Sequence, residues 1–170
     1  MLEQKTRAAV AAAQLQTITD EILVEVERLP PEIITWIPDE GAWSVMDILC
    51  HIREFLPFWT GETVRIARRP SEQWGRDHTD TARLAAVTGT AANKLEDVTA
   101  DIRRLLRRTI ETLSDLSDTD LSVEATSKNP RWELKPASFV VDHLLVEHVE
   151  KHLGQIRRNV TQFGQAHAKP

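Results

Sequence analysis

Cysteine is nearly missing from this sequence. Cys50 is the only one, so no disulfide can form within the chain, and such usage fits a reducing compartment. Long apolar runs are missing as well: no window approaches the ~18 consecutive apolar residues that a membrane span requires. The first five residues, Met1-Leu2-Glu3-Gln4-Lys5, lack the uninterrupted apolar stretch of a secretory leader. There is no surplus of basic charge. Lys and Arg number 21 against 26 Asp and Glu, a net charge of -5, which argues against nucleic acid as a partner. Basic clusters occur at Arg65-Arg68-Arg69 and at Arg103-Arg104 with Arg107-Arg108. The second is interleaved with Glu96, Asp97, Asp101, Glu111 and Asp115 and reads as the solvated face of a helix. Strand-like alternation and internal repeats are also lacking. These absences describe a soluble cytoplasmic protein without membrane or nucleic-acid partners.

What is present is an ordinary globular composition, 41% hydrophobic and 28% charged over 170 residues, enough for one domain over residues 1–170 with a core of its own. Apolar residues recur at helical spacing through Ala8, Ala11, Ala12, Leu15, Ile18, Ile22, Val26 and Leu29 until Pro30-Pro31 ends the pattern. A connector with Trp36, Pro38, Gly41 and Trp43 follows, too apolar to be a free linker. Ser44-Val45-Met46-Asp47 has the spacing of a helix capping box. It predicts a second helix with Val45, Ile48, Leu49, Ile52, Phe55, Leu56 and Trp59 inward, a kink at Pro57 and an end near Arg68. After a crossover loop containing Trp74, Gly75 and His78, a third helix is expected from about Leu84 to Leu116, with Gly89 as its weak point. The fourth follows Pro136, with Val141, Leu144, Leu145, Val149, Leu153, Ile156, Val160 and Phe163 buried, and the tail frays after Gly164. Four helices of this length make an all-α four-helix bundle.

His148 and His152, four residues apart on the last helix, share one face and can grip one metal ion. His51 borders the buried stripe of the second helix, three residues after Ile48 and four before Phe55. Bundles build metal sites from inward side chains of facing helices, so the three histidines make a candidate site. Three neutral imidazoles leave coordination positions open, as catalytic sites do. The metalloprotease pattern H-E-x-x-H is absent: Glu150 follows His148 by two residues and points away. His143, five before His148, lies about 140° round the helix and is not expected to take part. Asp47 is placed either to cap its helix or to accept the free N–H of His51, and Gln155 either to orient His152 or to meet substrate. Cys50 reads as a small core residue rather than a nucleophile. Gly154, costly in mid-helix by ~1 kcal/mol, suggests close approach of another helix or of a second copy of the chain.

Two of these stretches resemble the DinB-like superfamily. Trp43-Ser44-Val45-Met46-Asp47-Ile48-Leu49-Cys50-His51-Ile52 is similar to the start of its second helix, and His148-x-x-x-His152-Leu153-Gly154-Gln155-Ile156 to its last. Lys151-His152-Leu153 departs from a His-His-Arg run common there, leaving the three ligand positions intact. The resemblance implies a four-helix bundle of DinB-like type with a long crossover between helices two and three, and often a homodimer. It also implies a divalent metal, zinc or nickel, on His51, His148 and His152. Relatives include metal-dependent thiol transferases and mycothiol-dependent maleylpyruvate isomerase. The implied chemistry is activation of a low-molecular-weight thiol for transfer to a small electrophile, with no catalytic residue beyond the ligands identified. The same ligands would serve a small-molecule hydrolase using water. A non-catalytic, stress-related dimer with a structural or vestigial metal is the reading from outside enzymology.

Overall fold

Two sequence signals set the start of the bundle. Thr6 Oγ1 accepts the Ala9 N–H at 3.2 Å and caps α1, Arg7–Val26, which buries a stripe of small and branched residues from Ala8 to Val26. Pro31 then opens a one-turn helix, α2, Pro31–Thr35, where a missing N–H does no harm. Residues 6–168 of the chain are described in this computed structural model. Met1–Lys5, the stretch read above for a leader, and the last two residues of the tail lie outside them.

The capping box forms as predicted. Ser44 Oγ accepts the Asp47 N–H at 3.1 Å while Asp47 accepts the Ser44 N–H at 2.8 Å, starting α3, Val45–Arg68. Pro57 does not stop the helix, as expected, and its buried face continues past it, since Phe55, Leu56, Trp59 and Ile66 all lie in the core.

The third long helix, α5, spans Leu95–Ser114. The expected start at Leu84 is eleven residues too early and the expected end at Leu116 two too late. Leu84 belongs to the short α4, Thr81–Ala86, and is 47% exposed. Gly89 then adopts φ +64, a left-handed turn that no helix passes through, and a 3-10 turn at Thr90–Ala92 leads into α5. After α6, Asp118–Ser122, comes a two-stranded antiparallel hairpin, β1 Glu124–Thr126 and β2 Leu134–Pro136, with Ala125 opposite Lys135. The sequence hints at it only in Trp132-Glu133-Leu134, a stretch that reads as a short extended or turn segment, because three-residue strands are too short for alternation to register.

The last helix is continuous from Ala137 but not uniform. After α7, Ala137–Phe139, residues Val140–Val146 are π-helical, the Glu147 N–H reaching back five residues to the Asp142 carbonyl. The α8 segment then runs Glu147–Ala166, two residues past the Gly164 at which the tail was expected to fray. The wider π turn adds Val140 to the core beside Val141, Leu145 and Val149.

Among the described residues, the four long helices form a bundle in which α1 packs on α5 and α8, and α3 packs on α5 and on the α7–α8 helix. The first two long helices therefore stand diagonally rather than side by side. The crossover from α3 to α5 is tied down by Trp74, fully buried, whose indole N–H donates to the Ala125 carbonyl at 2.8 Å. It is tied again by Glu62, buried on α3, which accepts the Gly75 N–H.

Candidate metal centre

The adjacency of α3 and α8 puts His51 opposite His148 and His152. Each of the three rings offers a nitrogen within 4.8 Å of the others. His51 is 2% exposed and His152 6%, so the cluster lies inside the bundle, with His148 on its open side. Aromatic rings pack around it. Phe55 stacks on His148 at a centroid distance of 4.3 Å, and Trp43 meets His51 edge-on at 5.0 Å. Trp43 is held there by Asn159, whose side-chain amide donates to its carbonyl at 2.8 Å.

Hydrogen bonds on the outer nitrogens orient the rings. His148 Nδ1 lies 3.3 Å from the Leu144 carbonyl and His152 Nδ1 lies 3.1 Å from Gln155 Oε1. Both partners accept, so each Nδ1 carries the proton and each Nε2 presents a lone pair to the centre. His51 Nε2 stands 3.4 Å from His148 Nε2, and its Nδ1, buried without a hydrogen bond, is 4.0 Å from Glu54 Oε2. Neither neutral tautomer of His51 suits this setting. A proton on Nδ1 sets two lone pairs against each other, and one on Nε2 turns a lone pair toward a carboxylate.

Protonation offers no relief either. Burial, then the neighbouring rings, pushes the His51 pKa down to about 2, and burial followed by His152 pushes that of His148 down to about 3. Burial also lowers His152. Three neutral imidazoles with converging Nε2 lone pairs, that of His152 buried without a hydrogen-bond partner, fit a divalent cation by the chemistry of the donor set.

The cluster opens on one side into a cleft of about 230 Å³ lined by His51, His148, Trp59, Trp132, Arg76 and Arg83 among others. A family profile of the DinB superfamily matches residues 14–156. The chain belongs to the DinB superfamily. No curated protein matches its sequence. Among solved structures it is similar to YfiT from Bacillus subtilis, described as a probable metal-dependent hydrolase with an unusual four-helix bundle topology. The two share 14% identity over 96% of this chain and 93% of that one, with a TM-score of 0.78. At that identity the likeness concerns the fold.

Other candidate residues fall differently. Asp47 does not reach His51; it closes the capping box and accepts a hydrogen bond from the buried hydroxyl of Thr90. Gln155 does stand behind His152. His143 lies at the surface with Glu147, 2.8 Å away, and Cys50 is buried, its thiol pKa raised by burial. Gly154 is not a close approach within the chain, since an added Cβ would meet only Arg158 Nη1, at 3.5 Å. Glu54 and its partner Arg76 went unnoticed in the sequence. The guanidinium forks onto both Glu54 oxygens at 2.6 and 2.7 Å, and Arg76 also bonds Asp80 at 3.2 Å. The spacing i, i+3 from His51 is the signal that points to Glu54.

Proposed function

We propose that the protein is a metal-dependent enzyme acting on a small electrophile, with His51, His148 and His152 holding a divalent ion through their Nε2 atoms. The convergence of three neutral, buried imidazoles on one point carries the reading. Imidazole donors suit zinc or nickel. A divalent ion there supplies Lewis acidity, lowering the pKa of a water or thiol so that it is nucleophilic near neutral pH.

The chain's own residues prepare this chemistry. Leu144 and Gln155 fix the tautomers of His148 and His152 and so keep the Nε2 lone pairs turned inward. Phe55 and Trp43 close the inner side of the cluster with apolar rings. The approach is the cleft beside His51 and His148, where Trp59, Trp132 and Leu144 provide an apolar wall. Water as the nucleophile is favoured by the fold shared with a probable hydrolase. A low-molecular-weight thiol is favoured by the family's thiol transferases, and the open cleft leaves room for either. The reading includes a homodimer in the cytoplasm, for which Val10 and Val24, 45% and 43% exposed on α1, offer apolar surface.

Elemental analysis of freshly purified protein tests the reading: about one divalent metal per chain is expected, and none in a His148→Ala/His152→Ala double variant. Wild-type protein that neither contains nor takes up metal would overturn it. With metal bound, a panel of esters, amides and epoxides offered with water, glutathione, bacillithiol or mycothiol separates hydrolysis from transfer. Inertness to the whole panel would leave the non-catalytic dimer.

A further inference from the structure

Two guanidinium groups line the cleft, and they are not equivalent. Arg76 is 9% exposed and its charge is met by two carboxylates, Glu54 and Asp80. Arg83, half-buried on α4, has no carboxylate within ion-pair distance among the described residues. The one polar partner of its side chain is the His78 carbonyl, at 3.3 Å. A guanidinium carries five N–H donors in a fixed fork, so most of its donors are left for something else. Asn129 lines the same cleft with its Oδ1 already accepting the Arg131 N–H at 3.0 Å, which leaves its amide NH₂ to donate. One acid lines the cleft, Asp77, and its Oδ1 is turned onto its own loop, accepting from the Thr79 N–H at 2.7 Å and from the Thr79 hydroxyl.

The cleft thus offers donors at one side, an apolar wall of Trp59, Trp132 and Leu144, and the histidine cluster at its floor. A ligand set of three imidazoles brings no negative charge to set against Arg83. We propose that Arg83, assisted by Asn129, is the subsite for an oxyanion group of the substrate, a carboxylate or phosphate, so that the enzyme acts on small anionic molecules whose apolar body lies against Trp132. This rests on the reading of the histidines as a metal centre with this cleft as its approach. A planar oxyanion takes two parallel hydrogen bonds from a guanidinium, and such charge-assisted pairs are the strong ones. The subsite belongs to the crossover (Arg83) and the hairpin loop (Asn129, Trp132) rather than to the long helices, so the bundle can keep its metal site while these loops set the substrate.

Calorimetric titration of zinc-loaded and of chelator-treated protein with benzoate, phenylphosphonate and the neutral benzamide tests this. In the loaded wild type an anion should bind at least tenfold tighter than benzamide, and Arg83→Gln should cost about tenfold in anion affinity with benzamide unaffected. Arg83→Lys should recover part of the loss, and zinc content should be the same in all three proteins. The gap between wild type and Arg83→Gln should persist after chelation, because Arg83 is not a ligand. Arg83→Gln binding both anions as tightly as wild type, or benzamide binding as tightly as benzoate, overturns the proposal. A chain that takes up no zinc yet shows Arg83-dependent anion binding would defeat the metal reading and leave the subsite standing. The preferred anion distinguishes carboxylate from phosphate substrates.

Discussion

Glu54 Oε2 stands 4.0 Å from the buried, unpartnered Nδ1 of His51, one helical turn along α3. With His51 Nε2 given to a metal, Nδ1 must carry a proton and needs an acceptor, and Glu54 is the group in place to supply one. Arg76 holds that carboxylate from the other side with two hydrogen bonds.

Glu54→Gln should therefore weaken metal binding by about 10- to 100-fold, measured by competition with a chromogenic chelator. Glu62→Gln is the control, for Glu62 is equally a carboxylate of α3 that anchors the crossover, at Gly75, but does not touch His51. Equal losses in both variants would reduce Glu54 to a structural tether.

Asp47→Ala should behave oppositely. It removes half of the capping box and the acceptor of Thr90, at a cost of about 1 kcal/mol in chemical denaturation. Metal affinity should stay within twofold of wild type. A large loss of affinity would return Asp47 to the role behind His51 that the sequence allowed it.

The metal-free protein should lose stability in mild acid. His51 and His148 titrate near 2 and 3 when folded, against about 6.5 in the unfolded chain. Between those values the unfolded chain binds more protons, so folding is stabilised fully above pH 6.5 and progressively less as the pH falls toward 3. At pH 5 the His51 ring alone accounts for a loss on the order of 2 kcal/mol. Melting temperatures of chelator-treated protein at pH 7.5, 6 and 5 should fall steadily, and less steeply for His51→Gln. A curve for wild type as flat as that of the variant would show that protons reach the rings without unfolding.

Gly154→Ala decides whether a second copy covers that face of α8. Within one chain the added methyl meets only the end of a flexible arginine, so a monomer should gain about 0.5–1 kcal/mol. If Gly154 marks a dimer contact instead, sedimentation should show the dimer weakened.

How much of this was legible in the sequence depended on the range of the signal. The capping box at Ser44 and the spacing of His148 and His152 are written within four residues, and both form as read. His51 was legible because the stripe from Ile48 to Phe55 fixed which way it faced. The start of α5 was not. Leu84 continues the apolar rhythm, and Gly89, legible as a weak point, shows itself as a full break only through its left-handed φ. Trp74 looked like a loop residue because what buries it, the hairpin at Ala125, lies 51 positions away. The same holds for Glu54 and Arg76, whose pairing across 22 positions belongs to the fold and to no local pattern.

His51 and His148 face each other across a separation of 97 positions. During synthesis His51 is made 97 residues before the nearer of the other two rings. Until His148 has been made, only one of the three clustered rings is present, and one imidazole grips a divalent ion poorly. Any metal must be taken up after the last helix has been made and docked. Truncation just before His148 would leave α1, α3 and α5 whole and remove two of the three rings.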